Sequence, residues 1–461
     1  MHYYRSRSWR TILLALLCWC AGIGVAQLPA IASAQERGSI PGDPSGDGVI
    51  RIFADQPLNV KSATGFLHGQ NAQFPPLEDV AALAPRLIRG TAGLKRAAAL
   101  DAVYHLGFGF AWGYPADNWR GRGPPYAHLA QFQEMVRRTV REIVATGLGD
   151  RVVYNIWNEP GAKIFWQGGE QAFFTTAVAA IRAIREVQPD ARIAAPTWNS
   201  YDLDLLKRFA DFAMRSGVRV DVLNWHHLVG PGTAQDPGRD IDQLRRDLLE
   251  ARRVFIEGAR YAALGVQEIH IDEYVGRRDQ YRPGPLVAYL RALEEGGADR
   301  AAHACWPAED GSSNCFNKSL DGLIDPRTGG KRPKWWLYRQ YGRWVADRVR
   351  STSPDPHVAV LAARRQNRVQ ILVGHLWRVG DRDAAPPRRL TFKVTGLSVG
   401  APGNVQSVSV RVSAFPAQGE KVLVEPQLRA MFDVDVIDQA LVFSLDGPDR
   451  FAALEIIVEP K

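Results

Sequence analysis

The stretch Tyr154-Asn155-Ile156-Trp157-Asn158-Glu159-Pro160 decides how the rest of the chain is read. The apolar run that begins at Val152 has the composition of a buried strand, and Asn-Glu-Pro-Gly then breaks it. A glutamate placed just past a buried strand is poorly explained by packing, because a buried carboxylate is costly unless it is paired or functional. A second stretch of the same kind, Ile269-His270-Ile271-Asp272-Glu273-Tyr274, puts Glu273 114 residues after Glu159.

Outward from these two runs the pattern alternates between strand and helix. Strands are predicted at 65–69, 85–90, 104–112, 152–159, 191–196, 220–227, 267–274 and 300–306, with helical segments between them. The segment 129–146 is the most periodic helix, with Phe132, Met135, Val136, Val140, Ile143 and Val144 on one face. Eight such units over roughly 285 residues fit an α/β fold of the closed (β/α)8 type. An open doubly wound sheet would carry a Gly-rich phosphate loop near its first strand, and 65–69 is not one. The barrel is assigned to 65–350. Beyond Ser351-Thr352-Ser353-Pro354 the chain turns to short alternating runs, among them Val405–Val412 and Val422–Val424, and 351–461 reads as a β-sandwich. Residues 35–64 form a lead whose strand at 49–53 is free to pair with that second domain.

The first 34 residues resemble a secretory signal: Arg5, Arg7 and Arg10, an apolar stretch from Thr11, and Ala32-Ser33-Ala34 as a cleavage site. An uncleaved anchor is the rival reading, for which the apolar run is short. No stable membrane insertion is expected after cleavage, in the periplasm or outside the cell. The leader holds three of the excess positive charges, leaving +5 of the chain's +8. No Lys/Arg block is dense enough to suggest nucleic acid. Two cysteines remain beyond the leader, Cys305 and Cys315, and an exported protein with two cysteines in one loop suggests a disulfide. The alternative, a metal pair, has only His303 nearby as a further ligand.

One carboxyl at each of two strand ends suits cleavage of a glycosidic bond, which needs a proton donor and a nucleophile or base. Glu159 is the acid/base candidate, because Trp157 and Pro160 offer apolar surroundings that would raise its pKa. Glu273 is the nucleophile candidate. Asp272 is its local rival, which strand alternation would point away if Ile269 and Ile271 share the face of Glu273. His226-His227 is a poor metal pair, since adjacent strand residues face opposite ways. No metal and no cofactor is called for, and the expected partner is a carbohydrate.

Trp157-Asn158-Glu159-Pro160 is similar to the fourth-strand motif of the glycoside hydrolases of clan A, and within the clan the chain looks most like family 39, which includes β-xylosidases, α-L-iduronidases and bacterial exopolysaccharide endoglycosidases. The resemblance implies that Glu159 is the acid/base and Glu273, ending the seventh strand, the nucleophile. It implies that Asn158 meets the sugar 2-hydroxyl, that His226 lies close to the nucleophile, that Arg89 steadies it, and that Trp306 is a platform under the sugar. Trp112 and Tyr274 complete the candidate substrate-binding set. Two departures stand out: Gly161 where Asn often follows Pro, and Asp272 where a small or amide residue is usual. The implied chemistry is retaining, in a polysaccharide or oligosaccharide, with an exo-acting xylosidase-like enzyme, a transglycosylase and a non-catalytic sugar-binding protein as the alternatives.

Overall fold

A computed structural model describes residues 48–114, 119–228, 240–381, 383–397 and 406–461. The leader at 1–34 and residues 35–47 of the lead that follows lie outside the described residues.

Short runs of Val, Ile, Leu and Ala, each too apolar to stand alone, close into a barrel of eight strands: β2 (Gly65–Phe66), β3 (Leu87–Arg89), β4 (Val103–Gly107), β5 (Val152–Asn155), β6 (Arg192–Ala194), β7 (Val222–His227), β8 (Glu268–Tyr274) and β9 (Arg300–His303), in that order around the ring. All neighbouring pairs are parallel, β9 closing on β2 through Phe66 and His303. Outward residues such as Ile269, Ile271 and Trp225 join the large apolar core beneath the helices. The inward residues divide into layers. Val153, Ala194 and Val222 make a small apolar layer. Above it His105, Asn155, Asn224, His270 and Asp272 form a polar layer with no solvent exposure.

The barrel departs from the predicted strands in three places. The third strand stops at Gly107, and Phe108–Trp112 is a short helix. Phe108 stacks on Tyr154 and Trp112 packs edge-on to Phe132, so both rings of this turn are held in the core. The fourth strand ends at Asn155, leaving Glu159 in the following loop with φ +45°. The seventh strand carries an extra residue: Ile271 pairs with Trp225 on one side and Ala301 on the other, yet Glu273 pairs with His226 and Tyr274 with His303. On the β7 side Asp272 is skipped, and on the β9 side Asp272 and Glu273 together stand against one residue. This β-bulge breaks the alternation, so the expectation that Asp272 points away from the interior is corrected: it lies inward with His270, and the bulge re-aims Glu273 to the same side.

The remaining strands are β1 (Val49–Pro57), β10 (Arg348–Thr352), β11 (Val358–Arg365), β12 (Arg368–His375), β13 (Arg389–Thr395), β14 (Gln406–Phe415), β15 (Gln427–Val436), β16 (Ala440–Asp446) and β17 (Ala453–Pro460). They are ordered β15-β14-β17-β12-β11-β10-β1-β13-β16. The two ends of this order are consecutive in the chain, meet at Phe432 and Phe443, and enclose one core that includes Ile52, Val360, Ile371, Phe392, Val410 and Ile456. This is the second, β-sandwich domain. β1 pairs antiparallel with β10 and parallel with β13, so the strand preceding the barrel belongs to this domain.

Val422–Val424 is not a strand. It belongs to the loop between β14 and β15, which reaches back to the barrel: Leu423 N donates to Lys331 O at 2.8 Å, and Trp336 Nε1 donates to Leu423 O at 2.7 Å. In the same loop Glu420 accepts from Tyr281 Oη and Glu309 N, each at 2.7 Å, and its carbonyl accepts from Arg332 Nε at 2.9 Å. The second domain thus grips the long loop after β9. That loop is also closed by the Cys305–Cys315 disulfide. Replacing both cysteines by serine is expected to lower stability by roughly 2–3 kcal/mol, read from chemical denaturation, because the crosslink closes a short loop.

Candidate active site

The polar layer is where the site begins. Asp272 Oδ2 accepts from Asn155 Nδ2 at 2.9 Å and from Asn224 Nδ2, and Oδ1 lies 3.2 Å from His105 Nδ1. Burial alone would raise the Asp272 carboxyl, but His105 and Arg89 outweigh it and hold the group far below the usual carboxylate range. The layer continues through His105 Nε2 and His270 Nδ1, 2.9 Å apart, to Glu268 Oε2 at 2.8 Å from His270 Nε2. It forms a rigid floor beneath the mouth.

On that floor stand Arg89 from the end of β3, Glu159 from the loop after β5, His226 from β7 and Glu273 from β8. Arg89 Nη1 donates to Glu273 Oε1 at 2.7 Å and Nη2 to Asn158 Oδ1 at 2.6 Å. His226 Nδ1 lies 2.8 Å from Glu159 Oε1 and 3.7 Å from Glu273 Oε2. An oxygen of Glu159 and one of Glu273 lie within 4.8 Å of each other. The two carboxylates are each about one-sixth exposed, at 15% and 16% of their side-chain surface. Residues 158, 159, 226, 273 and 89 are therefore brought together.

The loop after β5 is held by backbone contacts. Glu159 N donates to Thr197 O at 3.0 Å, and Trp198 O accepts from His226 N at 2.9 Å. Thr197 N in turn donates to Asn224 Oδ1 at 2.9 Å. Gly161 is required here: a Cβ would fall 2.3 Å from Asn199 Oδ1 and 2.8 Å from the Trp198 ring. This accounts for its departure from the family pattern.

The electrostatics differ from expectation. Burial pushes Glu159 up, but the hydrogen bond and charge of His226 outweigh it and hold the carboxyl below its usual range. Trp157 is itself buried, with its indole N–H on Phe165 O and its ring on Trp166, and the apolar surroundings expected to raise Glu159 are outweighed by His226. Burial pushes Glu273 up, against the pull of His226 and Arg89, and the charge of Glu159 adds to the rise. Burial lowers His226, but both glutamates outweigh it and raise the imidazole. The charges of the three groups therefore act on one another.

Two candidates are not at the site. Tyr274, directly after the bulge, faces outward, with its hydroxyl 2.6 Å from Tyr338 Oη and its ring beside Tyr289. Trp112 is 2% exposed and packs on Phe132, with its N–H on Gly123 O. Both are packing residues, which corrects their placement in the sugar-binding set. Trp306 is half-buried, its indole N–H fixed on Val275 O at 3.0 Å just past β8.

Sequence reasoning missed Tyr114. It lies close enough to Arg89, Glu273 and Glu159 to feel all three charges, and burial pushes its hydroxyl up to about 12. Asp321 was also missed. It is fully buried, accepts from Leu67 N at 2.7 Å and His68 N at 2.8 Å, and is raised well above its usual range by burial, with the charge of Glu273 adding. A buried Asp in a long loop between a disulfide and a helix was the available signal.

Known proteins resemble the chain in sequence over part of its length and in fold. A family model described as "Glycosyl hydrolases family 39" matches residues 110–246. A curated 3-O-beta-L-arabinopyranosyl-alpha-L-arabinofuranosidase from Bifidobacterium pseudocatenulatum is 22% identical over 290 residues, covering 60% of this chain. The chain spans only 27% of that relative's length. A monomeric beta-xylosidase from Caulobacter crescentus shares the fold at TM-score 0.65 and 15% identity, covering 89% of this chain and 99% of its own. A GH39 enzyme from Xanthomonas axonopodis pv. citri does so at TM-score 0.63 and 14% identity, covering 90% and 97%. Together these findings support a glycoside hydrolase of clan A. Within the clan, the chain is most like family 39.

Proposed function

We propose that the chain is an exported retaining glycoside hydrolase that cleaves O-glycosidic bonds in an oligosaccharide or polysaccharide by double displacement. The observation that carries this reading is the separation of the two carboxylates, within 4.8 Å at their nearer oxygens. That sits beside the about 5–5.5 Å of retaining enzymes and below the roughly 6.5–9.5 Å that leaves room for an inverting water. Glu273 attacks the anomeric carbon as the C–O bond breaks, and Glu159 gives its proton to the leaving oxygen. Glu159 then takes a proton from water, which displaces Glu273. Arg89 occupies Oε1 of Glu273, so Oε2 is the attacking oxygen.

Burial raises Glu273, while the hydrogen bond and charge of His226 lower Glu159; the roles above need the proton on Glu159 at the moment of attack. His226 Nδ1 is within reach of both groups. A leaving oxygen beside Glu159 favours a neutral carboxyl there, and positive charge developing on the anomeric carbon favours an ionised Glu273. Both effects move the proton the same way. His226→Asn removes a cation that favours the ionised form of both carboxylates, so the pKa of each rises. The acid limb of the kcat/KM–pH profile, which reports ionisation of Glu273, is then expected to move to higher pH. An unmoved limb would remove His226 from this role.

Export is supported by the leader pattern and by the Cys305–Cys315 bond, which an oxidising compartment would maintain. Among the described residues no helix is long and apolar enough to cross a membrane. An exo-acting, xylosidase-like action is the second reading, favoured by the likeness to the Caulobacter crescentus β-xylosidase. The deciding experiment is proton NMR of the first-formed product from an active substrate, found by digesting candidate polysaccharides with wild type and Glu159→Gln and reading the products by mass spectrometry. Retained anomeric configuration is expected, and inversion would overturn the mechanism.

A further inference from the structure

Phe316 is 65% exposed, an unusual position for a large apolar ring in a loop otherwise pinned throughout. It follows Cys315, whose carbonyl accepts from Gly69 N at 2.8 Å, and its own N–H donates to Ser313 O at 2.9 Å. Asn314, two positions before it, is fully buried and donates to Tyr281 Oη at 2.6 Å. Glu420 of the second domain holds the start of the same loop through Glu309 N. The backbone under Phe316 is thus fixed from several directions while the ring stands out.

The position of the ring is informative. It belongs to the loop after β9 and lies 5.7 Å from the His68 ring, tilted by 35°, at the end of β2. His68 packs on Gly90, where a Cβ would fall 1.9 Å from its Nδ1, and Gly90 follows Arg89, which holds Glu273. A second exposed ring, Phe74 at 51%, lies on the same sector, with Lys318 Nζ 5.0 Å from its centre. In the ring order β9 is diametrically opposite β5, which leads to Glu159. If Glu159 protonates the leaving group, the aglycone lies on the β5 side, and the β9–β2 sector faces the part of the substrate that stays bound to Glu273.

We propose that Phe316, backed by His68, is the platform of a glycone-side subsite that stacks a second sugar ring, so that the enzyme acts on chains with at least two sugars on the non-leaving side. This rests on the two-carboxylate reading above and adds to it a preferred substrate length. A flat apolar face suits the C–H face of a sugar ring, and rigid mounting lowers the ordering cost of binding.

The test uses matched 4-nitrophenyl glycosides of one and two sugars: β-xyloside with β-xylobioside, and β-glucoside with β-cellobioside. Wild type is expected to prefer the disaccharide of the active pair. Phe316→Ala should reduce that preference by about 10-fold with kcat/KM on the monosaccharide unchanged, and Phe316→Trp should preserve it. Equal loss on both substrates, or an unchanged preference, would overturn the proposal. Phe316→Trp guards against a misfolded loop in the alanine variant, since a folded tryptophan variant that lost the preference would also count against stacking. Should wild type cleave none of the four, the hydrolase reading is decided by the polysaccharide digest above. The platform is then judged by calorimetry with xylohexaose and cellohexaose: about 10-fold weaker binding in Phe316→Ala supports it, and unchanged or absent binding overturns it.

Discussion

Glu273→Ala is expected to lower kcat by roughly 10^5-fold, since removing a nucleophile leaves only binding and the remaining polar groups to act on the substrate. Added azide should restore turnover by entering the space left by the side chain, and the glycosyl azide formed should have the opposite anomeric configuration to the substrate. Glu159→Ala is expected to cost about 10^2- to 10^4-fold, and its effect should depend on the leaving group. A dinitrophenyl glycoside needs no proton to leave, so the first step survives and the glycosyl-enzyme accumulates as a burst. Glu273→Ala should show no such dependence. Loss of equal size on every leaving group in both variants would end the division of labour between the two residues.

The second large effect is on stability. Asp272→Ala should destabilise the fold by about 3–5 kcal/mol, because it leaves His105, Asn155 and Asn224 facing an empty, fully buried place. Asp272→Asn keeps the volume and should cost less. The pH dependence follows from the sign of the shift. The folded carboxyl is held below its unfolded value, so its contribution is present above roughly pH 4 and is lost as pH falls toward the folded value. Thermal melts of wild type and Asp272→Asn should converge as the solution is acidified. Parallel curves would mean that the charge of Asp272 does not contribute.

Much of the barrel was legible because its strands are short apolar runs closed by turn residues, and such runs keep their character wherever they pack. The two glutamates stood out for the same reason, as acids at the ends of sequences that otherwise read as buried. What local pattern did not reveal came from contacts far along the chain. Trp112 and Tyr274 look like sugar-facing aromatics, but Phe132 and Tyr338 claim them. Strand β15 escaped notice because its outward residues, including Leu428 and Met431, are apolar yet exposed, which blurs the alternation. The tuning of Glu159 was misjudged because burial, legible from its sequence neighbours, is outweighed by His226, 67 residues away, which the local pattern does not show.

The bulge at Asp272 makes the aim of the nucleophile a matter of residue count. Removing the single codon between Ile271 and Glu273 would leave the glutamate in the gene but seat it directly after Ile271, in the buried place Asp272 now fills and one step short of the mouth. A barrel of this design can be silenced by a slip in length with every substrate-touching side chain still encoded. Its homologues are therefore better compared by spacing along this strand than by the identity of their acids.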